Sequence, residues 1–373
     1  MQKSFAFLQG NNLNSPKSPV LNRQSTSNSH QLKEDRWLAA WYGPRRWTFW
    51  LLPLMGLFVL LAKARRFWLL RYSAKKLATP VIVVGNISVG GTGKTPLLIT
   101  IVKWLQQQGF NPGVISRGYG GNAPHYPYLL NAASTAAEAG DEPVTIAQQA
   151  GCAVCVGSDR IACARLLEDE GCDILLSDDG LQHYRLPRDI EITVVDGQRG
   201  LGNGWLLPVG PLREPASRLK NVDWVIVNSP ADNFVLLGME DLFYIPMDIE
   251  PQDFINLRTG EKVNSARFSD TQVNAVAGIG NPQRFQQTLS ALGIQSSLQA
   301  FSDHHAYTSD DLVFDNDLPI IMTEKDAVKC KGFAQPNWFY LPINARLPDT
   351  FWPAFQQKIT RVCEQKKELL KFK

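Results

Sequence analysis

The segment VIVVGNISVGGTGKTP at residues 81–96 constrains the fold of this chain more than any other feature. It predicts a buried strand that ends at Gly85, a glycine-rich turn, and a helix that opens at Gly93-Lys94-Thr95. The backbone N–H groups of such a turn and the N-terminus of the helix together form a site for anions. The order of strand, loop and helix therefore predicts a phosphate-binding loop.

The residue types in this loop suit a nucleoside triphosphate. Lys94 is placed to reach the β and γ phosphates, and the hydroxyl of Thr95 is placed to bind Mg²⁺. Ser88 stands where the pattern G-x-x-x-x-G-K-[ST] has glycine, so we expect Gly90 and Gly91 to supply the unusual backbone angles. The predicted nucleotide-binding residues are Ser88, Val89, Gly90, Gly91, Thr92, Gly93, Lys94 and Thr95.

A second acidic motif follows another apolar run. Ser177-Asp178-Asp179-Gly180 comes directly after DILL at residues 173–176, and an acid at the carboxyl end of a parallel strand is typical of an Mg²⁺ site in P-loop proteins. Taken alone, Asp-Asp-Gly after a strand is more often a turn. Because it follows a phosphate loop, we predict that Thr95, Asp178 and Asp179 hold the metal.

The base of the nucleotide is less directly encoded. Guanine-binding P-loop proteins carry [NT]-K-x-D, but Glu324 occupies the lysine position in the segment Thr323-Glu324-Lys325-Asp326. This mismatch favours ATP. The segment is still expected at the end of a strand, where it could lie beside the base.

Short apolar runs alternate with helical stretches from Thr79 onward, which predicts an α/β fold with a P-loop NTPase-like parallel sheet. A second, smaller α/β domain is expected after about residue 232, closed by a C-terminal helix at 350–372. The predicted division is a disordered tail at 1–34, a basic and Trp-rich helical segment at 35–76, a P-loop domain at 77–232 and the smaller domain at 233–373. The predicted strands are VIVV (81–84), GVIS (113–116), AVCV (153–156), DILL (173–176), IEITVV (190–195), WVIV (224–227), LFYIPM (242–247), NAVAGI (274–279), PIIMT (319–323) and WFYLPI (338–343).

The formal net charge of +3 conceals a strong local imbalance. Residues 35–76 hold nine Lys and Arg against one acid, whereas residues 77–373 hold 25 Lys and Arg against 33 acids. A basic surface on the folded domain would be expected for a nucleic-acid-binding protein, so this distribution argues against nucleic acid. It favours one cationic segment on an anionic membrane surface.

The basic segment is also rich in tryptophan, with five between residues 36 and 72. Sixteen uncharged residues separate Arg46 from Lys63, which is about 24 Å of helix and short of the roughly 30 Å hydrocarbon core. An interfacial or shallowly inserted helix therefore fits best. A single membrane span and a buried helix of the soluble domain are the alternatives.

The six cysteines do not form a recognisable metal site. Cys152 and Cys155 make a lone C-x-x-C without a second pair, and Cys155 lies in an apolar run, so small buried hydrophobes are the better interpretation. Free cysteines in core-like segments indicate a reducing compartment.

Nine motifs occur along the chain in a fixed order. They are VGNISVGGTGKTP, SRGYGG (116–121), AGDEP (139–143), SDDGLQH (177–183), DGQRGLGNG (196–204), LPVGPLREP (207–215), AGIGNPQRF (277–285), FSDHHAY (301–307) and TEKDAVK (323–329). Through these motifs the chain resembles the tetraacyldisaccharide 4'-kinases of lipid A biosynthesis from about Trp47 to Pro342.

The resemblance implies a function and a place in the cell. It implies that ATP and Mg²⁺ are used to phosphorylate the 4'-hydroxyl of a tetraacylated glucosamine disaccharide 1-phosphate, giving lipid IVA. It also implies work at the cytoplasmic face of the bacterial inner membrane, with catalysis in a cleft between two α/β domains. The implied partners are the lipid-linked disaccharide and an anionic membrane surface, with no protein partner.

The resemblance also implies roles for individual residues. Asp141 of GDEP would take the proton of the sugar hydroxyl while His304 of SDHH holds or shares its carboxylate; the alternatives are a helix N-cap role for Asp141 and the choice of His305 over His304. Arg160 and Arg213 could neutralise phosphate charge, or form surface ion pairs. Possible substrate or phosphate contacts are Arg117, which could meet the 1-phosphate, and Arg160, Arg213 and Glu214.

Two readings from other classes compete with the kinase. A nucleotide-dependent switch or metallochaperone at the membrane would need Cys152 and Cys155 as a metal pair. A membrane adaptor that only binds ATP would not need the carboxylate of Asp141.

Overall fold

The computed structural model describes residues 36–72, 77–231, 234, 236 and 238–371. The predicted tail at residues 1–34 lies outside this part of the chain. Fifteen strands are named within the described residues. They are β1 (Val81–Gly85), β2 (Pro112–Ser116), β3 (Tyr128–Leu129), β4 (Ala153–Val156), β5 (Ile174–Asp178), β6 (Ile190–Asp196), β7 (Trp224–Asn228), β8 (Ile245–Pro251), β9 (Phe254–Asn256), β10 (Lys262–Val263), β11 (Val273–Ala277), β12 (Ser296–Ala300), β13 (Ile320–Thr323), β14 (Trp338–Leu341) and β15 (Ile343–Arg346).

Helices connect many of these strands, and one helix follows the last strand. They are α1 (Leu52–Tyr72), α2 (Lys94–Gln107), α3 (Ala136–Ala139), α4 (Asp141–Ala150), α5 (Arg160–Asp169), α6 (Pro282–Ala291), α7 (Glu324–Cys330) and α8 (Phe351–Lys371). Residues 36–41 are also helical. Short 3₁₀ helices lie at Trp47–Leu51, Ala216–Asn221, Ser265–Phe268, Ser309–Leu312 and Lys331–Phe333.

The larger sheet has the order β15-β8-β7-β6-β1-β5-β2-β4-β3 in the described residues. Strand β1 lies between β5 and β6 and is parallel to both. The parallel arrangement continues through β2 and β4 on one side and through β7 and β8 on the other. Antiparallel strands β15 and β3 form the two edges. The α/β fold with a large parallel sheet is confirmed.

Both faces of this sheet are buried, as the continuous apolar runs predicted. Because successive side chains of a strand point to opposite faces, Ile82 and Val84 belong to one core and Val81 and Val83 to the other. Helix α2 packs in the first core through its own buried residues, including Leu98. The sheet therefore holds the carboxyl end of β1, and the loop that follows it, in a rigid position.

The smaller sheet has the order β10-β9-β14-β13-β11-β12 in the described residues. Its strands β11, β12, β13 and β14 are parallel, whereas β9 pairs in antiparallel fashion with both β14 and β10. Two further apolar clusters cover its faces, one centred on Phe254 and Phe268 and the other on Met322 and Trp338. Helix α6 follows β11, and helix α7 follows β13.

The strands and the C-terminal helix distribute differently between the sheets than the apolar runs suggested. The run at 242–247 was expected in the smaller domain, but β8 pairs with β7 in the larger sheet. The run at 338–343 divides, so that β14 stays in the smaller sheet and β15 returns to the larger one. Helix α8 packs into the core of the larger sheet through Phe351 and Phe355. The domain boundary at residue 232 stays a prediction, because the chain crosses between the sheets more than once.

The N-terminal apolar segment lies almost entirely on the outside. Among the described residues, Trp47–Leu69 is one helical stretch long and apolar enough to cross a membrane by length and composition, and 6% of its most apolar window is buried. The helix runs on through Lys63 and Arg65, so it is longer than the uncharged run alone. Exposed apolar side chains include Leu54, Leu57 and Leu60.

We expect Phe355→Ala to destabilise the fold around the larger sheet. Phe355 is 0% exposed and its ring contacts Trp104, Trp224 and Phe351, so truncation leaves a cavity that costs about 3–5 kcal/mol of unfolding free energy. Urea unfolding followed by circular dichroism measures the loss. The exposed neighbour Gln357→Ala serves as the control, and equal stability of the two variants would contradict the assignment of α8 to this core.

Candidate active site

A cleft of about 1850 Å³ opens where the carboxyl ends of the parallel strands of both sheets meet. Loops after β1, β2, β5, β6 and β7 line it from the larger sheet, and loops after β11, β12 and β13 line it from the smaller one. Ligands of open α/β sheets bind at this edge. The two sheets therefore present their functional edges to a shared space.

The phosphate loop spans the gap between β1 and the first residue of α2, Lys94. Gly90 and Gly93 have φ angles of +103° and +90°, which side chains rarely adopt. Gly91 has no such angle, so the expected role of Gly90 and Gly91 falls instead to Gly90 and Gly93. A Cβ at Gly93 would lie 2.4 Å from the Asn228 amide nitrogen, and that amide donates to the carbonyl of Thr92 at 3.0 Å.

Lys94, Asp179 and Arg213 form a charged group at the mouth of this loop. The ammonium of Lys94 lies 3.7 Å from Oδ1 of Asp179, and Nη1 of Arg213 lies 2.9 Å from Oδ2. Burial alone would raise the pKa of Asp179, but the two cations lower it. The structure thus brings together three of the predicted site residues from three different segments of the chain.

Asp178 is buried at the end of β5. Burial, followed by the negative charge of Glu142, raises its pKa to about 7, while Lys94 opposes the rise. Its Oδ2 accepts a hydrogen bond from Ser116 at 3.5 Å, and its Oδ1 has no hydrogen-bond partner among the described residues. A buried carboxylate oxygen of this kind suits a cation, because Mg²⁺ binds one or two protein carboxylates together with substrate phosphates.

Asp141 and His304 meet across the cleft from opposite sheets. Asp141 is the first residue of α4, and His304 lies in the loop after β12. Nδ1 of His304 is 3.0 Å from each carboxylate oxygen of Asp141. Gly140, not Asp141, is the N-cap of α4. His305 points elsewhere, with its Nε2 3.4 Å from Asp311.

The pair is electrostatically coupled. Burial would raise the pKa of Asp141, but the hydrogen bond from His304 and the charge of Lys325 lower it overall. The same hydrogen bond raises the pKa of His304, against the opposing effects of burial and of Lys325. A carboxylate that stays ionised beside an imidazole of raised pKa is a suitable arrangement for accepting a proton.

Comparison with known proteins decides the family. The family model described as tetraacyldisaccharide-1-P 4'-kinase matches residues 47–361. The chain belongs to this family.

Named relatives agree over most of the chain. The tetraacyldisaccharide 4'-kinase of Aeromonas salmonicida is 48% identical over 327 residues, which is 86% of this chain and 95% of that protein. The corresponding kinase of Colwellia psychrerythraea is 49% identical over 320 residues, or 82% and 91% of the two chains. A crystal structure of LpxK from Aquifex aeolicus in complex with ATP superposes with a TM-score of 0.68 at 26% identity, covering 84% of this chain and 99% of that one.

The remaining residues predicted from the family motifs occupy different parts of the cleft. Arg117 and Arg160 line it, and Arg160 also donates to the carbonyl of Ile115 at 2.8 Å. Burial lowers the pKa of Arg160, although the charge of Asp178 opposes the shift. Glu214 lines the cleft but is already engaged, since it accepts hydrogen bonds from Gln182 and Tyr184.

Residues that we did not single out from the sequence complete the site of this kinase-family protein. Lys325 lies among the carboxylates beside His304, and Arg284 of α6 donates to Asn228 at 3.0 Å. His183 lines the cleft with its pKa lowered to about 4 by burial and then by arginines, Arg160 foremost. Lys325, Arg284 and His183 lie in the family motifs, and Asn228 ends β7. These positions are the sequence features from which a role in the site could have been predicted.

Backbone strain also concentrates here. Within the described residues, the non-glycine residues with positive φ are Asp179, Ser229 and His304, at 46°, 49° and 60°. Asp179 and His304 line the cleft, and Ser229 accepts a hydrogen bond from Arg284, which also lines it. Residues in such sparsely populated conformations cluster at functional sites of enzymes.

The cysteine pair does not suit a metal. Burial raises the pKa of the Cys152 thiol to about 12, and a hydrogen bond with Cys163 together with burial raises that of Cys155. Metal ligands are thiolates, so both groups favour the protonated form that does not bind metal. A metallochaperone is therefore not favoured.

We expect Gly93→Ala to abolish ATP binding. The new methyl group would collide with Asn228 and require a left-handed backbone with a side chain, so the loop would lose the geometry that presents its N–H groups. Isothermal titration with ATP measures the effect. Gly332→Ala, where a Cβ meets nothing within 4 Å, is the control; ATP affinity of Gly93→Ala within a few-fold of the control would contradict this account of the loop.

Proposed function

We propose that this protein transfers the γ-phosphate of ATP to the 4'-hydroxyl of a tetraacylated glucosamine disaccharide 1-phosphate, giving lipid IVA in lipid A biosynthesis. The observation that carries the proposal is that the phosphate loop and the Asp141–His304 pair reach one cleft, with the exposed apolar helix α1 at its rim. Family membership and the names of the relatives agree. A switch or adaptor that only binds nucleotide would not require the second half of this site.

ATP occupies the phosphate loop in this proposal. Lys94 contacts the β and γ phosphates, and the N–H groups at the start of α2 bind phosphate oxygens. The Aquifex aeolicus relative was solved in complex with ATP. Arg213 donates a hydrogen bond to Asp179 beside this loop. Its positive charge offsets the negative charge on the phosphoryl group during transfer.

Mg²⁺ would be held by Asp178, Asp179 and Thr95, whose oxygens are the ligand types it prefers. When bound, it would neutralise charge on the β and γ phosphates. The buried Oδ1 of Asp178 supports this assignment, since it has no hydrogen-bond partner among the described residues. A bound cation would also stabilise the ionised form of Asp178.

The exposures of the catalytic pair favour a different division of roles from the sequence-based prediction, in which Asp141 takes the proton. The side chain of Asp141 is 4% exposed, whereas that of His304 is 23% exposed and lines the cleft. We therefore assign contact with the acceptor to His304. Its Nδ1 is occupied by Asp141, which leaves Nε2 to accept the proton.

The phosphoryl transfer forms one P–O bond and breaks another. The 4'-oxygen forms a bond to the γ-phosphorus, the bond from that phosphorus to the β–γ bridging oxygen breaks, and ADP leaves. The hydroxyl proton passes to Nε2 of His304. Asp141 stabilises the resulting imidazolium, because its carboxylate remains hydrogen-bonded to Nδ1.

The acceptor lies between the arginines and helix α1. Arg117 and Arg160 are placed to meet the 1-phosphate of the substrate. Helix α1 contributes Phe58, Leu61 and Arg65 to the rim of the same cleft. Acyl chains would therefore stay in the membrane beside α1 while the sugar reaches His304. The ATP requirement and the six free cysteines support placement on the cytoplasmic face of the inner membrane.

The proposal predicts that His304→Ala lowers turnover by about two to four orders of magnitude, the usual contribution of a general base, with ATP affinity unchanged. Transfer of label from [γ-³²P]ATP to purified lipid A disaccharide 1-phosphate measures it. His305→Ala is the matched control. Label that never appears on the lipid with the unmodified protein would refute the function, and equal loss in both variants would refute the choice of His304.

Membrane attachment through α1 yields a separate prediction. Replacing Leu54, Leu57 and Leu60 by Ser should weaken binding to vesicles that contain phosphatidylglycerol by more than about tenfold, because each leucine loses about 1.5–3 kcal/mol of burial. Co-sedimentation measures binding. Val313→Ser alters another exposed apolar residue, in the loop before β13, and should have no effect; unchanged binding of the triple variant would show that another surface attaches the protein.

A further inference from the structure

Lys325 occupies a position that the mechanism above does not use. It lies in the first turn of α7, with its ammonium 3.4 Å from Nε2 of His304. The same ammonium is 3.0 Å from Asp303, 3.3 Å from Glu142 and 3.8 Å from Asp141. These partners come from two segments of the chain, the start of α4 and the loop after β12, so the lysine links both sides of the cleft.

The hydrogen-bonding capacities of these groups specify the protonation of the imidazole. A lysine ammonium only donates hydrogen bonds, and an ionised carboxylate only accepts them. Nε2 of His304 lies 3.4 Å from the Lys325 ammonium and 3.9 Å from Asp303, so its nearer neighbour is a donor that favours the lone pair on Nε2. Nδ1 faces Asp141, so it must carry the proton. Two partners from different helices therefore select the same tautomer.

We propose that Lys325 is a positioning residue that holds His304 in the Nδ1–H tautomer and keeps Nε2 free of a proton until the acceptor hydroxyl arrives. This inference rests on the proposed function of His304 as the proton acceptor. The lysine can release Nε2 without losing its place, since Asp303 and Glu142 still hold it. The incoming hydroxyl then replaces the ammonium as the hydrogen-bond donor to Nε2.

The charges around His304 show why a cation is needed there. Asp141 of α4 faces it directly, Asp303 lies beside it in its own loop, and Glu142 of α4 lies 3.3 Å from the Lys325 ammonium that contacts Nε2. These three carboxylates favour the imidazolium, which cannot accept a proton. The opposing cations are Lys325 and Lys329 of α7, of which Lys329 lies 3.8 Å from Asp141.

A further neighbour of His304 is the ring of Tyr119, with centroids 5.0 Å apart. The pKa of His304 is already raised by Asp141, and Lys325 opposes that rise. Removing Lys325 takes away the positive charge and leaves the three carboxylates unbalanced. Both effects act in one direction, so the pKa of His304 must rise further.

The first experiment is a pH–rate profile of lipid phosphorylation for the full-length protein and its Lys325→Met and Lys325→Arg variants. His304 must be unprotonated to act, so the acidic limb of the profile should move to higher pH by about one unit in Lys325→Met. Activity below the limb should fall about tenfold and recover at alkaline pH. Lys325→Arg, which keeps the charge, should remain close to the unmodified protein.

Lys331→Met is the matched control, because it removes an exposed lysine shortly after the same helix. Its profile should superimpose on that of the unmodified protein. A Lys325→Met profile that is lowered equally at every pH would overturn the inference, since a purely structural role predicts that result. An unshifted profile would overturn it as well.

A second measurement does not depend on kinase activity. The chain has five histidines, and ¹⁵N-histidine NMR distinguishes the two tautomers and the imidazolium, with His304→Gln identifying the signal of His304. We expect the Nδ1–H tautomer in the unmodified protein and a larger imidazolium fraction in Lys325→Met at the same pH. The Nε2–H tautomer, or identical spectra, would overturn the inference.

The two measurements separate this inference from the proposed function. If the tautomer and the shift upon substitution appear but no label reaches the lipid, the proposed function fails and the positioning role stands. If label reaches the lipid and the spectra do not change, the positioning role fails alone. Binding of ATP to Lys325→Met verifies that the variant is folded.

Discussion

The hydrogen bond between Nδ1 of His304 and the carboxylate of Asp141 joins residues that are 163 positions apart in the chain. It forms only because the two sheets turn their carboxyl edges toward each other. Asp141 comes from the larger sheet and His304 from a strained loop of the smaller one. In the proposed mechanism, nucleotide and acceptor therefore meet only when the two sheets are held together, and the phosphate loop alone would lack the proton acceptor.

The strands were predictable wherever an apolar run was continuous and bounded by glycine or aspartate. The run at 81–84 became β1, which is buried on both faces. A strand without alternating polar side chains has no polar face to turn toward solvent. The sheet to which a run belongs was not encoded locally. Strand β15 follows β14 after a single residue yet pairs with β8 in the other sheet, and α8 follows it into that core. Such long-range pairing depends on how the chain folds back and leaves no trace in a window of a few residues.

The candidate site divides in the same way. The phosphate loop is contiguous, so its residue types and spacing predict its function directly. The left-handed angle of Gly93 instead of Gly91 was hidden, because either glycine satisfies the pattern. Lys325 was overlooked for a different reason: a lysine in the first turn of a helix is usually solvent-exposed. Only the folded chain shows that three carboxylates and an imidazole surround it, and the resemblance to a kinase family gave its segment without giving its role.

Asp178 is a buried carboxyl group whose charge depends on its surroundings. A carboxyl whose pKa is raised to about 7 favours its protonated form in the folded state, so it lowers the stability of the fold as the pH rises from its ordinary pKa through that value. A cation bound at Oδ1 would reverse this effect, since it stabilises the ionised form. The lysines of the cleft act in the same sense, Lys94 on Asp178 and Lys325 on Asp141. The cleft therefore holds carboxylates that need cations, and in the proposed mechanism these cations also take part in phosphoryl or proton transfer. This shared need explains why residues so far apart in the sequence must assemble together.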